Sequence, residues 1–66
     1  MEEFKQRIKD ELSELINKCD RLDKFMNSKA FYALDMSQQH LLRAQFGAMT
    51  SYRWILSERL RLIEKK

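Results

Sequence analysis

Apolar residues recur at spacings of three and four along almost the whole chain. In the stretch 45–60, QFGAMTSYRWILSERL, the residues Ala48, Met49, Tyr52, Ile55, Leu56 and Leu60 define one face of an α-helix. Upstream, Phe4, Ile8, Leu12, Leu15, Ile16, Cys19, Leu22, Phe25 and Met26 trace a single stripe, which predicts a first helix from about Glu2 to about Met26. Glu2 and Glu3 suit its positive N-terminal end. Lys5, Lys9, Asp10, Glu11, Glu14 and Asp23 form its solvated face, with Glu14 and Lys18 spaced for an i,i+4 pair in the favourable order. Asn27-Ser28 breaks the pattern. Ser28 is placed to cap a single turn over 29–34, whose Phe31 and Leu34 point the same way. Asp35, with Gln38 three residues on, forms a capping box that opens the last helix, from about Met36 to about Ile63. The expected fold is all-α: one helical domain, a long hairpin with a short connecting helical turn.

Geometry then raises a question of burial. At 1.5 Å per residue the two long helices measure roughly 35 and 40 Å, a thin rod in which each helix covers one side of the other. Leu41, Leu42, Phe46, Trp54 and Leu62 lie beside or away from the Met49–Leu56 line, so a single chain exposes large apolar side chains. The expectation is a homo-oligomer that buries this second face between chains. Gly47, flanked by Ala44 and Ala48, supports it. Glycine costs a helix interior roughly 1 kcal/mol relative to alanine, and a flat small-residue patch lets another helix come close.

Composition narrows the function classes. The chain has no proline and one glycine, as expected of an all-helical protein, and at 44% hydrophobic residues it is too apolar to be simply disordered. Its single cysteine, Cys19, allows neither an intramolecular disulfide nor a thiolate metal cluster, which fits a reducing cytoplasm. No apolar run approaches a membrane span, and the N-terminus lacks the apolar core of a signal peptide. The net charge of +3 favours anionic partners, but mildly. The excess sits at the C-terminal end, where Arg59, Arg61, Lys65 and Lys66 outnumber Glu58 and Glu64; cations there also complement a helix C-terminus.

Enzyme signatures are missing. There is no glycine-rich phosphate loop, His40 is the one histidine, Cys19 lies on the apolar stripe, and the carboxylates are scattered among basic partners. No catalysis and no cofactor are expected. Three kinds of binding remain. A DNA interface is poorly supported, because the basic tail is short and has no interleaved aromatics. A partner helix fits the Gly47 patch. A small anionic ligand held between chains needs cations and a flat ring. Lys18 and Arg59 are the cations, the latter able to fork onto a phosphate or stack on a base, and Phe4 is the ring. Each has an ordinary structural role open to it as well: Phe4 in a core, Lys18 paired with Glu14, Arg59 capping the polar end of the seam, and Gln45 as a hydrogen-bonder between chains.

The ordered set Glu14-Leu15, Lys18, Leu22, Phe25, Ser28, Phe31, Leu34, Leu41-Leu42, Gln45, Ala48-Met49, Tyr52, Leu56 and Glu58-Arg59 resembles small phage proteins related to a crAss-like phage family. That family includes the type-two anti-CBASS sponge proteins. The resemblance covers about Leu12 to Leu60 and rests on the whole order, especially Ser-x-x-Phe-x-x-Leu followed by Gln-x-x-Ala-Met-x-x-Tyr-x-x-x-Leu-x-x-Arg. It implies a phage-encoded, compact helical homohexamer in the cytoplasm of the infected host. Such a protein sequesters cyclic di- and trinucleotide messengers, cyclic GMP-AMP among them, without cleaving them. In the dinucleotide site of such proteins an N-terminal aromatic stacks on a base and a lysine of the first long helix meets the phosphates; by position these are Phe4 and Lys18. Arg59 falls to the trinucleotide site, and Arg7 completes the candidate cyclic-nucleotide-binding set. The ring here is Phe rather than Tyr, so a hydroxyl hydrogen bond is lost.

Overall fold

The computed structural model describes residues 2–65; Met1 and the C-terminal cation Lys66 lie outside them. Three helices follow in chain order: α1 Glu2–Met26, α2 Lys29–Tyr32 and α3 Met36–Glu64. α1 and α3 run antiparallel along the length of a rod measuring 48 × 15 × 14 Å.

The corner between them is built from side chains that satisfy helix ends. Ser28 Oγ donates to the Phe25 carbonyl at 2.6 Å and accepts from the Phe31 amide at 3.4 Å, closing α1 and opening α2. Asp35 Oδ1 accepts from the Gln38 amide at 2.8 Å, the forward half of the capping box. The reciprocal bond from the Gln38 side chain does not form among the described residues. Replacing Asp35 with alanine is therefore expected to cost about 1 kcal/mol, and replacing it with asparagine much less, read from urea midpoints by circular dichroism. Gln39 is buried at the same corner; its Nε2 donates to the Leu34 carbonyl at 2.8 Å and to the Tyr32 carbonyl at 3.4 Å, tying α3 to the turn.

The packing of the hairpin follows a heptad. One inward row on α1 runs Lys5, Ile8, Leu12, Leu15, Cys19, Leu22 and Met26, and one on α3 runs Gln39, Leu42, Phe46, Met49, Arg53, Leu56, Leu60 and Ile63, with Ile16, Thr50 and Glu58 half-buried beside them. Both sets alternate steps of three and four without a break, the repeat of an antiparallel coiled coil. Ile8, Leu15, Cys19 and Leu56 form the buried centre, with Leu12, Phe46, Met49, Leu60 and Ile63 packed against it. Cys19, at 2% exposure, packs as a small hydrophobe. Arg53 is the polar residue in mid-seam and is half-buried.

Here the inward face of α3 differs from the one that spacing suggests. Met49, Leu56 and Leu60 turn inward, together with Leu42 and Phe46, while Ala48, Tyr52 and Ile55 face solvent. The line drawn from sequence mixed two neighbouring rows. Leu41, Tyr52, Trp54, Ile55 and Leu62 stay exposed, and the accessible surface of 5207 Å² exceeds the roughly 4,500 Å² of a compact protein of this mass. The radius of gyration of 15.0 Å, against about 11 Å for a compact chain of this length, has the same cause.

Candidate functional site

Phe4 opens α1 and Arg59 lies in the last turns of α3, 55 positions apart in sequence. The antiparallel hairpin brings them together: the Arg59 guanidinium carbon stands 5.6 Å from the centroid of the Phe4 ring, a cation–π contact. Both side chains are exposed, Phe4 to 44%, so the pair presents a cation and an aromatic face to solvent.

The neighbouring cations are engaged differently. Lys5 and Lys9 reach Glu64 Oε2 at 3.3 and 3.9 Å and fasten the two helix ends. Arg61 gives two hydrogen bonds to Glu58 Oε1, at 3.1 and 2.9 Å, and this contact holds its pKa above the ordinary value. These carboxylates are thus occupied. Among the described residues, Arg59 makes no ion pair within 4.0 Å. Its charge is offered to the Phe4 ring and to solvent.

Lys18 and Arg7 are also exposed on α1. The expected Glu14–Lys18 pair does not close within 4.0 Å among the described residues. Lys18 lies two heptads beyond Phe4 on the same row of the helix, about 21 Å away along the axis, with Glu11 on that row between them. Arg7 sits one turn from Phe4 on an adjacent row. A single chain therefore joins Phe4 to Arg59 but holds Lys18 apart. A compact ligand that touches both Phe4 and Lys18 needs them from different chains.

Sequence reasoning did not find the second cation–aromatic contact. Arg43 stands 5.1 Å from the centroid of the buried Phe31, at the corner of the hairpin. The signal was the register of Arg43 in the first turns of α3, opposite the α2 turn. Gln45 is exposed and directs Nε2 toward Met49 Sδ at 3.9 Å; His40 is exposed. A shallow groove lined by Leu12, Ser57, Leu60, Arg61, Glu64 and Lys65 runs along the rod and contains none of the four candidates. Among the described residues no group of three or more His, Cys, Asp or Glu side chains is placed to hold a metal, and no helix is long and apolar enough to cross a membrane.

The family model for Sequestin matches residues 2–62, nearly the full extent of both long helices. A relative from Enterobacteria phage T4, described as an uncharacterized 7.5 kDa protein in the denB-rIIB intergenic region, is 35% identical over 57 residues. That match covers 86% of this chain and 89% of the relative, so the two agree over the hairpin as a whole. No solved structure matches the chain. With the family model spanning both helices and a phage relative sharing them nearly end to end, this chain belongs to the Sequestin family of small phage sponge proteins.

Proposed function

We propose that this protein is a non-enzymatic sponge that binds cyclic di- or trinucleotide messengers, such as cyclic GMP-AMP, in sites formed where copies of the chain meet in a homohexamer. By hiding the messenger intact it blocks activation of the CBASS effector in the infected cell. The observation that carries this reading is that Phe4, Lys18 and Arg59 are all exposed in a chain of the Sequestin family. An aromatic face can stack on a nucleobase, and a guanidinium that makes no ion pair among the described residues can donate two hydrogen bonds to a phosphate. Lys18 and Arg7 supply further positive charge on the same helix. Phe4 and Lys18 are assigned to a dinucleotide and Arg59 to a trinucleotide. The distance between Phe4 and Lys18 within one chain is accounted for if each site draws on two chains.

Native mass spectrometry with mixed cyclic di- and trinucleotides tests this, followed by calorimetric titration of variants. Wild type should carry discrete ligands that are recovered intact on denaturation. Phe4→Ala should weaken dinucleotide binding about ten-fold or more, in line with a stacking contribution of about 1–3 kcal/mol. Lys18→Ala should do the same and reduce the salt dependence, whereas Arg59→Ala should act chiefly on the trinucleotide. If Lys18→Ala and Arg59→Ala left every affinity unchanged, the site assignment would be wrong. The exposed apolar face of α3 also favours a second reading, an adaptor that docks a host or phage helix. That reading predicts a stable heteromeric partner and no nucleotide bound.

A further inference from the structure

Two charges at the open end of the hairpin sit against the preference of their own helices. α1 opens with Glu2 and Glu3, the sign its N-terminus favours, and then sets Lys5 in the same turn. α3 closes on Glu64, a negative charge where a helix favours a positive one. Antiparallel docking accounts for both, because it lays the start of α1 beside the end of α3. Lys5 Nζ lies 3.3 Å from Glu64 Oε2, and Lys9 Nζ, one turn further on, lies 3.9 Å from the same oxygen. Arg61, one turn before Glu64 and able to compete for it, is held by Glu58 instead. Lys5 is half-buried at the head of the inward row, so its bridge is screened less than a fully exposed pair.

Phe4 immediately precedes Lys5. It lies in the first turn of α1, and helix ends open more readily than helix centres. Arg59 is more than a turn inside α3 and keeps its place whether or not that first turn is docked. The 5.6 Å contact between them therefore depends on what fastens the start of α1. We infer that Glu64 is a positioning residue for Phe4: one carboxylate grips Lys5 and Lys9, keeps the first turn of α1 docked, and so holds the ring where a nucleobase can stack on it. This inference rests on the assignment of Phe4 to the dinucleotide. A competent position held only part of the time weakens the apparent affinity by that fraction.

Glu64→Gln tests it, since glutamine keeps the size of the side chain and removes its charge. The dissociation constant for cyclic GMP-AMP should rise about two- to five-fold, the scale of a part-exposed ion pair. Loss of a negative charge would by itself tighten the binding of an anion, so general electrostatics predicts the opposite sign. Cyclic trinucleotide affinity, assigned to Arg59, should stay unchanged, and in a Phe4→Ala background Glu64→Gln should have no further effect. The exchange Lys5→Glu with Glu64→Lys conserves net charge and should restore dinucleotide affinity. A second readout needs no nucleotide. In the ligand-free protein the Phe4 ring current displaces the Arg59 Nε–H resonance from its position in Phe4→Leu. Glu64→Gln should move that resonance toward the Phe4→Leu position, and the exchange should return it. An unmoved resonance would overturn the inference, even if Glu64→Gln lowered the urea midpoint, because the ion cluster would then stabilise the rod without placing the ring. A moved resonance with unchanged dinucleotide affinity would overturn it too, while sparing the proposed function. If wild type bound no cyclic nucleotide, the proposed function would fall, and the resonance alone would decide whether Glu64 places Phe4.

Discussion

Leu56→Ala is expected to destabilise the fold by about 2–5 kcal/mol, while Ile55→Ala, one residue away, costs the isolated hairpin less than about 1 kcal/mol. Leu56 is completely buried among Ile8, Leu15 and Cys19, and shortening it leaves a cavity where both helices are already held by the rest of the seam. Ile55 is 45% exposed on the other row. A chain of 66 residues has a total stability of roughly 3–10 kcal/mol, so the Leu56 change consumes much of it. Urea unfolding followed at 222 nm, at a low and a high protein concentration, separates the two. Leu56→Ala should lower the midpoint at both concentrations. Ile55→Ala should lower it little at the low concentration; a larger loss confined to the high concentration is what the proposed homo-oligomer predicts. Equal losses from the two variants at both concentrations would mean that the inward face has been misassigned.

That pair of neighbours also marks the limit of what was legible in the chain. The all-helical hairpin could be read directly, because steps of three and four persist on both sides of a Ser28–Asp35 segment rich in caps. The choice of inward face on α3 could not. A helix with one apolar stripe announces its buried side, but α3 has two stripes, offset by about a quarter turn, and periodicity alone does not rank them. The polar members of the inner row hid it further. Gln39 and Arg53 belong to surface-favouring residue types, yet one is buried on backbone carbonyls and the other lies half-buried in mid-seam.

The candidate site was legible as residues and not as an arrangement. Phe4 and Arg59 each suggested ligand contact by type, but their proximity depends on the antiparallel docking of α1 on α3, which places opposite ends of the chain side by side. Their exposure depends on Phe4 lying just off the buried row that begins with Lys5 and Ile8. A core role, which the apolar stripe left open for Phe4, is thereby replaced by a rim position with one face toward solvent. For Lys18 the structure imposes a constraint that sequence spacing alone concealed. Phases along the helix agree, but the axial separation from Phe4 is too large for one chain to supply both contacts.

Phe31→Ala is expected to be the second severe substitution, costing about 3–5 kcal/mol, although it lies in a helix of one turn. The ring is completely buried and serves as the hub of the hairpin corner. Phe25 of α1 meets it edge-on at 6.1 Å, Tyr32 meets it edge-on at 5.1 Å, and the Arg43 guanidinium of α3 covers it at 5.1 Å. One side chain thus joins all three helices. Aromatic pairs of this geometry contribute about 0.5–1.5 kcal/mol each beyond burial. Phe31→Leu should accordingly recover most of the lost stability but not all, since it restores volume without the ring contacts. Arg43→Met should cost less than about 1 kcal/mol, because it keeps the apolar stem over Phe31 and removes only the cation. The discriminating measurement is hydrogen exchange at the amides of 28–39. Phe31→Ala should expose that corner to exchange before the central seam around Leu56 opens. Simultaneous loss of protection at the corner and the seam would mean that Phe31 stabilises the rod as a single cooperative unit, rather than holding the turn against which two independently zippered helices are aligned.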